Sequence, residues 1–91
     1  IKTIAPRWLN YSPDKVYFPK TLSVSISSDG ESFTEVYNGA GPCHTNDRWD
    51  CWTDISYIPL EDRPSARYVR VIADNGSRWT SMECDEIIVE F

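Results

Sequence analysis

The sequence feature that most constrains the fold is a strict alternation of apolar and polar residues in the segment LSVSIS. Side chains of a β-strand point alternately to opposite faces, so Leu22, Val24 and Ile26 are predicted to face a core while the serines between them face solvent. Asp29 and Gly30 follow, and glycine readily takes the positive φ that tight hairpin turns require. The stretch therefore predicts the first strand of an antiparallel hairpin.

Other parts of the chain show the same period of two residues, and no segment shows a helical period. The chain is rich in strand-favouring aromatic residues, with four Trp, five Tyr and three Phe among its 91 residues,. The pattern predicts Val69, Val71, Ile87 and Val89 inside as well. We expect six strands, over Ile1–Leu9, Val16–Ser28 with a break near Pro19, Ser32–Asn38, Trp52–Ile58, Ala66–Ala73 and Cys84–Phe91. The sequence thus predicts one all-β domain over residues 1–91, either a β-sandwich or a partial barrel.

The charge of the chain argues against two classes of partner. Fourteen acidic residues against nine basic ones give a formal net charge of −5. A surface of this sign repels a phosphate backbone or an anionic bilayer, so we expect no nucleic-acid partner and no membrane binding. The chain opens with Ile1 rather than Met and already resembles a strand there. We therefore expect a piece of a larger protein, with any catalytic domain or export signal upstream.

Strand order predicts where the loops meet. If each strand runs antiparallel to the one before it, the loops at 10–15, 39–51 and 74–83 share one end of the domain. The loops at 29–31 and 59–65 share the other end. The first end holds most of the aromatic, amide and cationic loop residues, and loops on a rigid scaffold often carry function. We therefore expect any binding site at that end.

The residues at this end suit a sugar. Sugars present flat C–H faces and a ring of hydroxyl groups, so a site needs an exposed aromatic platform and planar polar groups that fix orientation. Trp49 and Trp79 supply candidate platforms, whereas Trp8 and Trp52 are predicted to pack in the core. The alternative is that all four tryptophans pack in the core of a small domain. The candidate sugar-binding residues are Trp79, Trp49, Arg78, Asn75, His44, Arg48, Asn10 and Tyr11.

Three segments carry a family resemblance: FPKTLSVSISSDGESFTEV, ARYVRVIADN and the final DEIIVEF. In this order they resemble the C-terminal half of F5/8 type C (discoidin-like) domains, closest to the family 32 carbohydrate-binding modules appended to bacterial glycoside hydrolases such as β-hexosaminidases and β-galactosidases. The resemblance implies a jelly-roll (galactose-binding-like) sandwich, galactose- or N-acetylhexosamine-type ligands and a structural Ca²⁺ with Glu86 as a ligand. It also makes Arg7 a candidate contact for sugar hydroxyls. The N-terminal strands of the family have no counterpart, so the chain is either the C-terminal part of such a domain or a shortened relative.

The cysteines admit more than one interpretation. If the parent protein is exported, a Cys43–Cys51 disulfide would rigidify the 39–51 loop, and Cys84 would then be a buried free thiol. A zinc site built from these three cysteines and His44 would match no common ligand spacing. The sequence therefore favours the disulfide.

No catalytic constellation is visible. Asp85 and Glu86 adjoin one another in a predicted strand, where neighbouring side chains point to opposite faces, which is poor geometry for two carboxylates flanking a glycosidic bond. Asp47 and Asp50 lie in a loop and are predicted to be solvated turn formers. The expected function is a non-catalytic, secreted, periplasmic or cell-surface module that holds a fused glycoside hydrolase near its glycan. The alternatives are a structural domain that buttresses the enzyme without a ligand and a cell-surface adhesion domain.

Overall fold

The computed structural model describes residues 1–41 and 51–91. The described residues form strands, a 3-10 turn over Ser12–Asp14 and no α-helix. They include no helix with the length and apolar character that a membrane crossing needs. The strands are β1 (Thr3–Asn10), β2 (Thr21–Ser27), β3 (Thr34–Ala40), β4 (Trp52–Ile55), β5 (Ile58–Pro59), β6 (Tyr68–Asp74) and β7 (Cys84–Glu90). The prediction of an all-β structure is confirmed.

The strands form two antiparallel sheets, an arrangement compatible with a β-sandwich. In the first sheet, β1 is central, with β4 and β5 along one edge and β7 along the other. In the second, β2 is central between β3 and β6. The predicted Trp52–Ile58 strand is divided into β4 and β5. Buried Ser56, which lies between them, donates its backbone N–H to the Pro6 carbonyl over 2.9 Å, and its hydroxyl accepts the Trp8 indole N–H over 3.0 Å. Both bonds tie that residue to β1.

The core lies between the two sheets and confirms the face chosen for β2. Leu22, Val24 and Ile26 are 1%, 0% and 7% exposed. They form one cluster with Ile4 and Trp8 of β1, so both sheets contribute to a common apolar layer,. Trp8 is buried as predicted, and partly buried Trp52 packs against that cluster, its ring meeting Phe18 edge to face at 5.2 Å.

The turn after β2 is also confirmed. Gly30 adopts φ +81°, a left-handed conformation that glycine takes without strain,. The Asp29 carboxylate accepts the backbone N–H groups of Ser32 and Glu31 over 2.9 and 2.8 Å, and it accepts the Ser27 hydroxyl over 2.9 Å. These hydrogen bonds, the one from Ser32 first, lower the pKa of Asp29 to about 2,.

The prediction for the last strand is partly wrong. Ile87, predicted inside, is 45% exposed, whereas Val89 is half-buried. The reason is that β7 is an edge strand that pairs with β1 alone among the described residues, so its inner face receives little cover. In β6 the predicted core residues Val69 and Val71 are half-buried and pack against the core cluster.

Candidate functional site

The strand registers bring the predicted loops to one end of the molecule. Thr21 pairs with both Ala40 and Asp74, so β2 begins where β3 and β6 end. Val16 bridges to Ser81, which joins the segment before β2 to the segment before β7. We call residues 11–20 and 75–83 the loop end. Residues 42–50 lie outside the described residues, but the strands that flank them, β3 and β4, end and begin at this same end.

Hydrogen bonds fix the loop end to the sheets. Lys20 donates its backbone N–H to the Asp74 carbonyl over 2.8 Å, and its own carbonyl accepts the Gly41 N–H over 2.9 Å. Farther along, Ser81 donates to the Lys15 carbonyl over 2.9 Å and its carbonyl accepts the Tyr17 N–H over 3.0 Å. The loops are thus extensions of the strand network, which gives their side chains defined positions.

Trp79 is the most exposed tryptophan of the described residues, at 73%. Its backbone N–H donates to the Ser77 hydroxyl over 3.1 Å. Two hydrogen bonds of Asn75 hold the same loop, one accepted from the Ser77 N–H over 3.1 Å and one donated to the Thr80 carbonyl over 2.7 Å. An exposed indole on a hydrogen-bonded loop is the geometry that a stacking platform requires.

Arg78 covers part of that platform. Its guanidinium carbon lies 4.9 Å from the centroid of the Trp79 ring, a cation–π distance,. Because the indole stays 73% exposed with the guanidinium beside it, the opposite ring face is available for a ligand. Arg78 therefore places guanidinium donors next to the indole.

A shallow groove of about 290 Å³ lies at the loop end. Its volume is just below the roughly 300–1,000 Å³ that small-molecule sites occupy. Thr80, the neighbour of Trp79 in the chain, is part of its wall. The groove, called the Lys20 groove below, is lined by Tyr17, Phe18, Lys20, Asn75, Ser77 and Thr80.

The opposite end of the molecule has larger concavities with different chemistry. They measure about 390 and 470 Å³ and are lined in part by the carboxylates of Asp29, Glu35, Glu61 and Asp62. Their lining includes no aromatic ring. Another concavity, of about 450 Å³, includes Met82 and Glu83 of the loop end in its lining and likewise has no aromatic ring there. The Lys20 groove is smaller than these three but has Tyr17 and Phe18 in its wall.

The predicted sugar-binding residues have different positions. Asn10 is 0% exposed, so the structure corrects its assignment as a surface contact: the inner position in β1 removes its side chain from the solvent. Tyr11 is half-buried and donates its backbone N–H to Val16 over 2.8 Å. Asn75 stabilises its own loop and also lines the Lys20 groove. Trp49, Arg48 and His44 lie outside the described residues, as do Asp47 and Asp50.

A β-bulge changes the predicted arrangement of Asp85 and Glu86. The register of β1 and β7 shifts between Arg7 and Trp8, where Arg7 pairs with Glu86 and Trp8 pairs with Cys84. The inserted residue, Asp85, accepts hydrogen bonds from Arg7 Nε over 2.9 and 3.1 Å and from Nη2 over 2.6 Å. Glu86 Oε2 lies 3.7 Å from the same Nη2. The prediction that the two carboxylates point to opposite faces is wrong, because a bulge puts consecutive residues on the same partner.

The cluster of Arg7, Asp85 and Glu86 includes the predicted calcium ligand, Glu86, and one candidate sugar contact, Arg7. The hydrogen bond with Asp85 raises the pKa of Arg7 above its usual value and lowers the pKa of Asp85. Glu86 faces this guanidinium, and the described residues contain no group of three or more His, Cys, Asp or Glu side chains placed to hold a metal ion. A calcium ion at Glu86 stays a prediction, with its further ligands unassigned. Arg7 is engaged by Asp85, and its contact with a sugar stays a prediction.

The described cysteines are both free and exposed. The prediction of a buried Cys84 is wrong because it begins the edge strand β7; its thiol donates to the Glu86 carbonyl over 3.4 Å. Cys51 is an exposed free thiol in the structure. Its predicted disulfide partner, Cys43, lies outside the described residues.

Lys20 and Tyr17 were not among the sequence-based candidates, yet both line the groove. They lie just before β2, and the same strand-parity argument that placed the 10–15 loop would have placed them there too. The predicted strand Val16–Ser28 has a break near Pro19 but includes residues 16–20, whereas β2 begins at Thr21 and leaves these residues at the loop end.

No family model matches the chain, and comparisons with curated proteins and with solved structures likewise give no match.

Proposed function

We propose that the chain is a non-catalytic carbohydrate-binding module that binds a glycan at the loop end through Trp79. The observation that carries the proposal is the 73% exposed indole on a loop held by its own hydrogen bonds. The Lys20 groove at the same end supplies hydroxyl and amide groups that complement a sugar's hydroxyls,. The Trp79 ring and this groove together have the two properties that sugar recognition needs.

The wider role follows from the segment resemblance and is part of the same proposal. The module has a jelly-roll, discoidin-like fold, follows a catalytic glycoside hydrolase domain in one secreted, periplasmic or cell-surface polypeptide and raises the local concentration of its glycan. It prefers galactose- or N-acetylhexosamine-type sugars. It has no hydrolase activity of its own. Release of product from chromogenic glycosides, above a heat-denatured control, would overturn that last statement.

Binding is expected to be weak because one ring face and a shallow groove supply few contacts. We expect a Kd of about 0.1–1 mM for a monosaccharide, or roughly −4 to −5.5 kcal/mol. The test is binding to a glycan array and to immobilised galactosides by wild type and by Trp79→Ala. Tyr57→Ala is the matched control, since Tyr57 is an aromatic residue that is 62% exposed but lies between β4 and β5, away from the loop end.

The expected result is that Trp79→Ala loses binding while Tyr57→Ala binds as wild type does. Binding that survives in Trp79→Ala, or that is lost equally in both variants, would contradict the proposed site. Matching circular-dichroism spectra and melting temperatures establish that each variant is folded.

One observation favours a structural role as the second candidate. Ile87, on the uncovered edge strand β7, is 45% exposed, which is unusual for an apolar strand residue predicted to face a core. An open edge strand readily pairs with another polypeptide. A buttress function predicts that Ile87→Lys weakens association with the neighbouring enzyme domain, while Trp79→Ala has no effect on it.

A further inference from the structure

We propose that the Lys20 groove selects glycans that carry an acidic group, a carboxylate or a sulfate ester, at the ring stacked on Trp79. This inference rests on the proposed glycan-binding function and names the ligand class of the same site. It depends on the position of the Lys20 ammonium, on the absence of competing carboxylates in the groove wall and on the neighbouring cations.

Hydrogen bonds hold the backbone of Lys20, and its side chain lies against a glycine. Its N–H and carbonyl bond to Asp74 and Gly41 over 2.8 and 2.9 Å. The aliphatic stem lies across Gly76, so closely that a Cβ at that glycine would come within 2.8 Å of Lys20 Cδ. Gly76 has φ +73° and its N–H is held by the Asp74 carboxylate over 2.7 Å. The absence of a side chain at Gly76 therefore leaves room for the aliphatic stem of Lys20. Packing the stem there before binding lowers the entropy cost of pairing the ammonium with a ligand.

Among the described residues, the ammonium has no acidic partner. Lys20 forms no salt bridge with any described residue, since the salt bridges there are those of Arg7. None of the six described residues that line the groove is acidic, and the carboxylate of Asp74, whose carbonyl accepts the Lys20 backbone N–H, accepts the Gly76 N–H. Because an ammonium offers three donors and no acceptor, it favours an anionic oxygen over a sugar hydroxyl.

The surroundings supply further positive charge at short range. Arg78 is exposed and lies over Trp79, so its guanidinium is close to any ring stacked there. The chain as a whole carries a charge of −5 and repels anions at long range,. Selectivity for an acidic sugar must therefore come from these close contacts, and it should weaken as salt screens them.

The experiment titrates the chain with three sugars that differ at one carbon: galactose, galacturonic acid and galactose 6-sulfate. Each is followed by ¹H–¹⁵N NMR at pH 7 in low salt and in 0.5 M NaCl. The variant is Lys20→Met, which keeps a stem of similar length over Gly76 and removes the charge. The matched control is Lys2→Met, an exposed lysine whose carbonyl accepts the Leu60 N–H at the other end of β1.

We expect at least one acidic sugar to bind about three- to tenfold more tightly than galactose, as one partly exposed charge pair permits. Lys20→Met should remove that preference while leaving galactose affinity unchanged, and Lys2→Met should change neither. Preference for galacturonic acid alone identifies a carboxylate ligand, and preference for the sulfated sugar alone identifies a sulfate ester; either supports the inference.

Equal affinities for all three sugars, or a preference that persists in Lys20→Met or in high salt, would overturn the inference and leave the proposed function intact. Loss of galactose binding in a folded Lys20→Met would also overturn it, because the lysine would then serve every ligand alike. If none of the three sugars binds while the glycan array shows no ligand, the proposed function itself fails.

Discussion

Replacing Ile26 with alanine tests the packing of the two sheets. Ile26 is 7% exposed and belongs to the core cluster that both sheets share. The substitution removes three side-chain carbons, worth roughly 2.4 kcal/mol at about 0.8 kcal/mol for each buried CH₂. A cavity term adds to this loss. However, Ile26 also lines the open concavities at the end opposite the loops, so solvent and neighbouring side chains can fill part of the space.

We therefore expect Ile26→Ala to lower the free energy of unfolding by about 2.5–3.5 kcal/mol, in the lower half of the range for such core truncations. A domain of this size has only roughly 5–15 kcal/mol in total, so the loss should be a large shift in the urea midpoint. The assay is urea unfolding followed by tryptophan fluorescence, with the slope m checked for constancy. Ser25→Ala, on the outer face of the same strand, is the control. A loss below about 1 kcal/mol for Ile26→Ala, or an equal loss for Ser25→Ala, would refute the assigned face.

Three further predictions follow from local contacts. The pKa of Asp29 is about 2 in the folded chain and 3.8 in its reference state, so its hydrogen bonds stabilise the fold fully above about pH 4 and lose this effect as the pH falls through about 2. The difference in melting temperature between wild type and Asp29→Asn should therefore shrink as the pH is lowered from about 4 to about 2. A difference that stays constant down to pH 2 would contradict the stabilising role of these hydrogen bonds. Gly41→Ala should lower the melting temperature more than Gly39→Ala, because a Cβ at Gly41 overlaps the Pro19 carbonyl oxygen while one at Gly39 stays 3.5 Å from Tyr37 Oη; equal losses in thermal melts would count against the Gly41 contact. If Glu86 is a calcium ligand, calcium should raise and EDTA should lower the melting temperature of wild type, and Glu86→Gln, which removes the carboxylate beside Arg7, should respond less because it loses an anionic oxygen ligand; equal responses of the two proteins in the same melts would contradict the calcium prediction.

Local periodicity was enough to predict which face of β2 is buried, because that strand lies between two others and faces the first sheet. The same reasoning failed for Ile87, since the burial of an edge strand depends on what covers it and not on its own sequence. It also missed the bulge at Asp85, which a pattern of strict alternation cannot contain,. The exposure of Ile87 and the bulge at Asp85 both depend on strand pairing, which is set by tertiary contacts.

The candidate site was predictable in location but not in composition. Counting strand reversals placed Trp79 and Asn75 at one end, and the registers confirm that the described loops meet there. The burial of Asn10 and the position of the Lys20 side chain depend on tertiary packing and on the left-handed turn at Gly76, which bring distant residues together. Single-strand patterns carry no information on either.

The central claim, a glycan site on Trp79, is tested most directly by the indole N–H resonances during titration with galactose and galacturonic acid. The resonances of Trp79 and Trp8 serve as probe and internal reference, since Trp79 is 73% exposed and the Trp8 N–H is buried on Ser56. The account predicts a saturable shift of the Trp79 resonance, with a Kd of about 0.1–1 mM, and an unmoved Trp8 resonance. A Trp79 resonance that stays fixed at saturating sugar, or that moves only in step with Trp8, would contradict it.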